Sequence, residues 1–322
     1  MLVPVLLFAV GLVLLIKGGD WFVDGATGIA RRSHIPEIIV GATVVSIGTT
    51  LPEVMVSATG ALNGQGAMAY GNAIGSIICN TSLIAAITLT VRPCTVDTKS
   101  LKMPVVFFFV AAAVYCMAAY LMGEFTRPLG LLLLALFVVY MVTTVRQGFK
   151  NPAPAEDEQK EDDKEKSLWQ ELVLLVAGAA VIAVGANLLV DNGTIIAKAL
   201  GVPETVIALT FVALGTSLPE LVTAITSLVK GHGSLSLGNI IGANIFNLVL
   251  VSGVSVALAP FKVPVGNVIF GVNASLILDI PLMLVVMALL TLPALATKKL
   301  HRWQGILLLC IYAAFCVIQF AM

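Results

Sequence analysis

Ten long apolar runs, separated by short polar segments, constrain the fold of this chain more than any other feature of its sequence. A helix of about 20 apolar residues is long enough to cross a bilayer. Hydrophobic residues make up 59% of the chain, which is more than one soluble core of this size could bury. The runs do not alternate with period two, so helices are favoured over a membrane barrel. The predicted spans are 2–29, 36–61, 68–91, 103–122, 128–147, 168–197, 204–229, 234–258, 265–293 and 303–321.

The sequence also repeats itself. Residues 43–54 read TVVSIGTTLPEV and residues 210–221 read TFVALGTSLPEL, at an offset of 167 residues. The same offset relates GNAIGSIICN at 71–80 to GNIIGANIFN at 238–247. Because the offset covers five crossings, an odd number, the second copy should be inverted relative to the first. We predict an all-α integral membrane protein of ten transmembrane helices in two inverted five-helix repeats, 1–150 and 168–322.

Residues 151–167, NPAPAEDEQKEDDKEKS, should form a solvated linker between the repeats, because they are too polar to be buried. Lysine and arginine bias sets the orientation. If the N-terminus is outside, the outer loops carry only Arg127, Lys198 and Lys262, and the remaining loop cations lie inside. We therefore expect both termini to be extracytoplasmic, the linker to be cytoplasmic, and the protein to lie in the plasma (inner) membrane. The formal net charge of zero gives no attraction to nucleic acid.

Each copy of the repeat places a glutamate, Glu53 or Glu220, inside an apolar span, where a carboxylate is costly and therefore indicates function. A proline, Pro52 or Pro219, precedes each glutamate and should break the helix at the midplane, because proline lacks an N–H and restricts the residue before it. The break would expose carbonyls beside hydroxyls and a carboxylate. Such hard oxygen ligands suit Na⁺ or Ca²⁺. The matched positions predict two halves of one cation site.

The span after each break adds polar side chains at helical spacing. Asn72, Ser76 and Asn80 recur at i, i+4 and i+8, and their counterparts are Asn239, Ala243 and Asn247, with Asn244 nearby. Four glycines in the same segments, Gly71, Gly75, Gly238 and Gly242, predict close helix packing. Packing does not account for four asparagines at matched places in apolar spans.

The pairs GTTLPE with GNAIGSIICN, and GTSLPE with GNIIGANIFN, resemble the two alpha-repeats of the cation/calcium exchanger superfamily, above all its prokaryotic sodium/calcium exchanger branch. The resemblance covers nearly the whole chain. It implies a Ca²⁺ site at Glu53 and Glu220 with Thr49 and Thr216. It implies Na⁺ sites that reuse both glutamates. The further residues of the predicted ion site are Ser46, Ala213, Thr50, Ser217, Ser76, Asn80, Asn247, Asn72 and Asn239.

Two departures from the family pattern leave the driving ion open. Some relatives carry serine where this chain has Ala243, and some carry aspartate where it has Asn247. The resemblance implies a secondary active antiporter that exchanges Ca²⁺ for Na⁺ by alternating access, without enzymatic activity and without a cofactor. The alternatives are a proton-coupled or potassium-dependent calcium exchanger of the same fold, a passive cation channel, and an intramembrane aspartyl protease. The protease would need two aspartates around one water.

Several other polar residues lie in or near the spans. Asp24 and Asp191 match across the repeat and should cap or pair, and Asp20 should pair locally with Lys17. Asp279 lies within a predicted span and its role is open. The five cysteines form no CxxC pair, so we expect core residues and neither a disulfide nor a metal site.

Overall fold

The computed structural model describes residues 1–150, 167–200, 215–265, 268–269 and 271–321. Among these residues, nine helices are long and apolar enough to cross a membrane, and Leu218–Val229 is a shorter apolar helix inside another predicted span. The prediction of an all-α membrane protein is therefore confirmed. Residues 151–166 of the predicted linker 151–167, and Ala213, lie outside the described residues.

Five of the nine long described spans contain both α-helical and π-helical segments. The α-helices are α1 (Leu2–Ser33), α2 (Glu37–Val40), α3 (Ser46–Leu62), α4 (Gly66–Cys79), α5 (Ala86–Val91), α6 (Thr98–Met117), α7 (Arg127–Lys150), α8 (Leu168–Ala199), α9 (Leu218–Val229), α10 (Gly233–Phe246), α11 (Ser252–Leu258), α12 (Ile280–Thr297) and α13 (Arg302–Ala321). The wider π-helical segments are Gly41–Val45, Asn80–Ala85, Ala118–Met122, Asn247–Val251 and Ser275–Asp279.

Short strands tie loops together at the ends of the helices. They are β1 (Cys94–Thr95), β2 (Glu124–Phe125), β3 (Phe261–Lys262), β4 (Val268–Ile269), β5 (Val272–Asn273) and β6 (Lys299–Leu300). They pair antiparallel as β1 with β6, β2 with β3, and β4 with β5. The registers place Cys94 opposite Leu300 and Glu124 opposite Lys262.

Side chains cap the free backbone N–H groups at the start of several helices. Ser167 and Gln170 form a reciprocal capping box at the start of α8. Asp97 accepts hydrogen bonds from the backbone nitrogens of Lys99 and Ser100 at the start of α6. The first helix ends at Ser33, and its C-cap residue His34 adopts a left-handed conformation with φ of 52°.

The predicted midplane break at Pro52 is wrong for the first repeat. Helix α3 runs without interruption from Ser46 to Leu62 with Pro52 inside it. The irregularity lies upstream, in the π segment Gly41–Val45. A proline is tolerated in a membrane helix when neighbouring groups satisfy the freed backbone groups. The second repeat behaves as predicted on its described side, because α9 begins at Leu218 with Pro219 in its first turn.

The described chain forms two compact units. Unit 1 contains residues 1–49 and 148–239, and unit 2 contains residues 50–147 and 240–322. Each unit combines segments from both sequence repeats. The division of the chain at 1–150 and 168–322 describes the sequence repeat and stays a prediction.

In unit 1, α1 and α8 pack against each other along most of their length in an antiparallel pair. Gly11 faces Gly185, and Gly18 faces Gly178, so the backbones meet without intervening side chains. A Cβ atom on Gly18 would lie 2.8 Å from the backbone nitrogen of Ile182. The repeat offset relates Gly11 to Gly178 and Gly18 to Gly185, so the two contacts are equivalent by internal symmetry.

Ion pairs join the helices of unit 1 at one end. Lys230 Nζ lies 2.7 Å from Asp24 Oδ1 and 3.4 Å from Asp20 Oδ1. The predicted pairing of Asp24 is therefore confirmed, whereas the predicted local pair of Asp20 with Lys17 is wrong. Lys230, at the end of α9, reaches both acids because they are one helical turn apart on α1. His232 Nδ1 also lies 2.7 Å from Glu37 Oε1.

In unit 2, an aromatic cluster surrounds Phe125. Its ring centroid lies 4.7 Å from that of Tyr115, 5.4 Å from that of Phe261 and 6.3 Å from that of Tyr70. Phe125 is fully buried although it lies in a two-residue strand. The pairing of β2 with β3 therefore anchors a loop end to the helices around it.

Candidate cation-binding site

The two glutamates are both fully buried. Glu53 lies in α3 and belongs to unit 2, whereas Glu220 lies in the first turn of α9 and belongs to unit 1. Each has a side-chain exposure of 0%. A carboxylate removed from water is stable only when its charge is compensated. These positions are therefore suited to holding cations.

In unit 1, the polar side chains of the first repeat contact Asn239. Ser46 Oγ lies 3.0 Å from the carbonyl oxygen of Asn239, and Thr49 Oγ1 donates to the Asn239 Oδ1 at 3.2 Å. All three side chains are buried. The Asn239 side-chain oxygen thus already accepts a hydrogen bond, so this residue orders the hydroxyls around it.

Close helix packing produces that contact. A Cβ atom on Gly238 would collide with the carbonyl of Ile38, and one on Gly41 would lie 2.8 Å from the backbone nitrogen of Asn239. The prediction that Gly238 permits close approach is confirmed. For Gly71 and Gly75 it stays a prediction, because among the described residues nothing beyond their own helix backbone lies within 4 Å of an added Cβ.

The second copy of the motif lies at the start of α9. Ser217 occupies the N-cap position, yet its hydroxyl makes no capping hydrogen bond. Within the described residues, Ser217 Oγ is buried without a hydrogen-bond partner. Thr216 is half-buried beside it. Thr223 donates its hydroxyl to the carbonyl of Pro219 at 2.7 Å, which stabilises the first turn of the helix carrying Glu220.

In unit 2, Asn72 ties α4 to the helix that carries Glu53. Its Nδ2 donates to Ser57 Oγ at 2.7 Å and to the carbonyl of Glu53 at 3.1 Å. Both contacts hold the backbone of α3 at the glutamate. Asn72 therefore positions Glu53 through its amide nitrogen.

Asn80 and Asn247 differ from Asn72 because their side-chain amides make no hydrogen bond within the described residues. Each begins a π-helical segment, and the repeat offset relates them. Both are fully buried, and within the described residues neither side-chain amide has a hydrogen-bond partner. The hydroxyl of Thr50 shares this property, and Ser76 is buried one turn before Asn80. An unsatisfied buried polar group costs about 1–3 kcal/mol, which a bound cation would offset at the oxygen atoms.

The sequence predicted that Asn244 adds an amide near the other asparagines, but it did not predict which residues Asn244 contacts. Asn244 Nδ2 donates to Thr81 Oγ1 at 2.7 Å and lies 3.1 Å from Met287 Sδ. The repeat counterparts of Asn244 and Thr81 are Ile77 and Leu248, so the internal symmetry gave no signal for this pair. Asp279 is also engaged, because its Oδ1 accepts from Gln319 Nε2 at 3.1 Å.

Comparison with known proteins gives a consistent result. The family described as sodium/calcium exchanger protein matches residues 3–146 and 171–321. The chain is 36% identical over 307 residues to an uncharacterized membrane protein of Methanocaldococcus jannaschii, covering 95% of this chain and 94% of that protein. It is 37% identical over 268 residues to the putative antiporter CaxA of Alkalimonas amylolytica, covering 81% and 82%.

A solved structure of the sodium-calcium exchanger NCX_Mj matches with a TM-score of 0.81 and 33% identity over 98% of each chain. The match covers the whole fold, including both copies of the repeat. This chain is therefore a member of the sodium/calcium exchanger family.

Proposed function

We propose that the protein is a secondary active antiporter that exchanges Ca²⁺ for Na⁺ by alternating access at one site shared by Glu53 and Glu220. The observation that carries the proposal is the complete burial of both carboxylates at positions related by the sequence repeat. Two negative charges balance one Ca²⁺ or two Na⁺. The chain is similar to a sodium-calcium exchanger of solved structure, which supports Na⁺ and Ca²⁺ as the two exchanged ions.

The hydrogen bonds of the described residues distinguish two groups among the proposed ligands. Asn80, Asn247, Thr50 and Ser217 have buried polar atoms available for ions. Asn72 and Asn239 have roles in holding Glu53, Ser46 and Thr49. The remaining proposed ligands are Glu53, Glu220, Thr49, Thr216, Ser46, Ala213 and Ser76.

The coupling of the two ion flows is proposed to follow from charge compensation. A site without cations carries the negative charge of two carboxylates, and keeping that charge away from water is costly, so the change of access is slow. A loaded site is close to neutral and changes access readily. Na⁺ and Ca²⁺ compete because they use the same oxygens. Counterflow of the two ions is the result.

We also propose that α1 and α8 move together when access changes. Their backbones meet at Gly11 with Gly185 and at Gly18 with Gly178, so the pair forms a rigid body held by backbone contact. The lysine and arginine distribution supports extracytoplasmic termini and a cytoplasmic linker 151–167 in the plasma membrane.

Radioactive calcium flux tests this function. The full chain is reconstituted into vesicles loaded with Ca²⁺, and Na⁺, K⁺ and pH gradients are applied singly. We expect calcium efflux to follow the opposing Na⁺ gradient. Calcium efflux that ignores Na⁺ but follows the K⁺ or proton gradient would select the alternative coupling, and efflux independent of all three would indicate a channel.

Variants locate the site in the same assay. Glu53→Gln and Glu220→Gln should each abolish exchange, because one remaining carboxylate does not balance Ca²⁺. Glu124→Gln is the matched control, since Glu124 is exposed in β2. Full activity in either site variant would remove that glutamate from the proposed site.

A further inference from the structure

One end of unit 2 presents a concentrated basic surface, which we call the basic face. Its exposed cations are Arg92, Lys99, Lys102, Arg146, Lys298, Lys299 and Arg302. They come from segments 91–103, 144–147 and 296–304, which contain a single acidic residue, Asp97. These segments therefore carry a net positive charge.

Backbone and side-chain contacts fix these segments against one another. The antiparallel pairing of β1 with β6 places Thr95 opposite Lys299, and the backbone nitrogen of Val96 donates to the carbonyl of Lys298 at 3.0 Å. Arg302 Nη2 donates to the carbonyl of Val91 at 3.3 Å. The cations of two loops distant in sequence are thus held together.

A third segment joins them through α7. Gln147 Nε2 donates to the carbonyl of Lys99 at 2.7 Å, which places Arg146 next to the start of α6. The single acid of this face leaves the seven cations in excess. The Asp97 carboxylate accepts from the backbone nitrogens of Lys99 and Ser100 and from Ser100 Oγ at 2.6 Å. Asp97 is therefore used in capping the helix.

The basic face borders directly on apolar side chains that point outward. Val91 and Trp303 have exposures of 65% and 51% and are adjacent in the chain to Arg92 and Arg302. Leu292, which is 53% exposed, lies on α12, the helix that ends just before Lys298. Exposed tryptophan beside apolar residues is typical of the level at which membrane helices leave the hydrocarbon. The cations therefore lie at the depth of lipid headgroups.

We propose that the basic face binds the phosphate headgroups of anionic phospholipids in the adjacent leaflet. Clustered lysine and arginine at the end of membrane helices attract anionic lipid by about 1 kcal/mol for each residue. A preference for basic loops on one side of the membrane acts during insertion and does not require the loops to be linked by a strand pair. The β1–β6 pair keeps these cations on one surface of the folded protein. Several of them can then interact with the same lipid phosphates.

Lipid retention by the full chain tests the proposal. The protein in neutral detergent is titrated with dihexanoyl phosphatidylglycerol, with dihexanoyl phosphatidylcholine or with inorganic phosphate, and bound lipid is counted by native mass spectrometry. We expect phosphatidylglycerol to be retained in preference to phosphatidylcholine, and the preference to weaken as salt is raised. Equal retention of the two lipids would overturn the proposal. Displacement of phosphatidylglycerol by inorganic phosphate at equal concentration would also overturn it, because the face would then bind free phosphate and not lipid.

Paired variants identify the surface. Lys298→Asn with Lys299→Gln removes two cations, and asparagine is chosen because Lys298 has φ of 57°. The affinity for phosphatidylglycerol should fall roughly 10- to 30-fold. Lys298→Arg with Lys299→Arg should retain it.

The matched control is Arg127→Gln with Lys262→Gln, which removes two exposed cations at the other end of α7. Arg127 and Arg146 are separated by 19 helical residues, or about 28 Å. The control should bind phosphatidylglycerol as the native chain does. An equal loss in the control and the Lys298/Lys299 variant would show non-specific charge attraction and refute the basic face as a site. The wild-type lipid comparison decides the proposal even if a variant fails to fold.

Discussion

The side chain of Asn244 donates a hydrogen bond to the hydroxyl of Thr81 over 2.7 Å in the interior of unit 2. Both side chains are fully buried and lie on different spans. The bond fastens α10 to the segment that follows Asn80. Asn244 is thus a structural residue next to residues proposed to bind ions.

Asn244→Ala should therefore lower stability and leave ion affinity nearly unchanged. Losing this buried hydrogen bond should cost about 1–3 kcal/mol, because Thr81 loses its donor. Thermal unfolding in detergent measures the loss, and calcium flux measures the apparent affinity. Asn247→Ala should show the opposite pattern, with little loss of stability and a large loss of exchange. A large change in calcium affinity for Asn244→Ala would place it in the ion site.

The glycine contact between α1 and α8 should tolerate no added side chain. In Gly178→Ala the new Cβ would lie 2.5 Å from the backbone nitrogen of Phe22, so the helices would have to separate. We expect a loss of about 1–3 kcal/mol and reduced exchange. Gly60→Ala is the control, since its Cβ would meet only the flexible side chain of Met68 at 3.4 Å or more. Similar melting temperatures for the two variants would contradict the close contact.

Asp97, which lies outside the membrane spans, should make the stability of the fold depend on pH. Burial raises the pKa of this carboxyl, but hydrogen bonds from the Ser100 hydroxyl and from the backbone of Lys99 and Ser100 outweigh burial and hold the pKa below its ordinary value. The cap therefore stabilises the fold above the ordinary aspartate pKa, near pH 4, and its contribution is lost as the pH falls through the lowered pKa. Asp97 is mostly exposed, so the effect is small.

Two variants isolate that contribution. Asp97→Ala should cost about 1 kcal/mol at neutral pH, measured by thermal unfolding. Asp97→Asn should keep most of the cap and remove its acid dependence, because an amide does not titrate in this range. If the native chain and Asp97→Asn lose stability equally between pH 6 and pH 3, the assigned role of the carboxylate is wrong.

Asn247→Asp should make stability depend on calcium. The residue is fully buried, so a new carboxylate without a cation should cost several kcal/mol. Ca²⁺ should then raise the unfolding temperature of the variant more than that of the native chain. Asn244→Asp also buries a charge, but calcium should not rescue it because Asn244 faces Thr81 and Met287. Equal calcium shifts in the native chain and Asn247→Asp would place residue 247 away from the ion.

Lys230→Met should weaken the junction of α1 and α9. Lys230 holds both Asp20 and Asp24, and its side chain is 26% exposed. Because the pairs are partly solvated, we expect a loss of about 1 kcal/mol that shrinks as salt is raised. Lys17→Met is the control, since the structure assigns Asp20 to Lys230. If Lys17→Met lowers stability more than Lys230→Met does, Asp20 pairs with Lys17 and the assignment to Lys230 is wrong.

Sequence reasoning was most successful where a residue's environment follows from the bilayer. The apolar runs predicted the spans, and the position of Glu53 and Glu220 within those runs predicted their burial. It was less successful where the outcome depends on a neighbour from another span. Asn72 and Asn80 share a helical face and a residue type, yet Asn72 donates to Ser57 and Asn80 has no partner among the described residues.

The π-helical segments could not have been predicted from composition. The rule that proline breaks helices placed the irregularity at Pro52, whereas the structure has it at Gly41–Val45. The widened turn is accompanied by a hydrogen bond from Ser46 Oγ to the carbonyl of Gly41 at 2.8 Å. Ser252 makes the equivalent bond to Asn247 at 3.0 Å, and both depend on a serine five residues after the start of the π segment. The sequence contains this spacing, but the spacing alone does not indicate a π segment.

The π segment that begins at Asn247 holds one residue more than an α turn of similar extent. Deleting a single residue from Asn247–Val251 would let the segment revert to α geometry and would leave the later residues close to their present orientation. Ser252–Leu258 would then keep its buried face inward. A single deletion within Ser252–Leu258 would instead rotate every later residue of that helix by about 100°. The widened turn is therefore the part of this span that best tolerates a shorter chain.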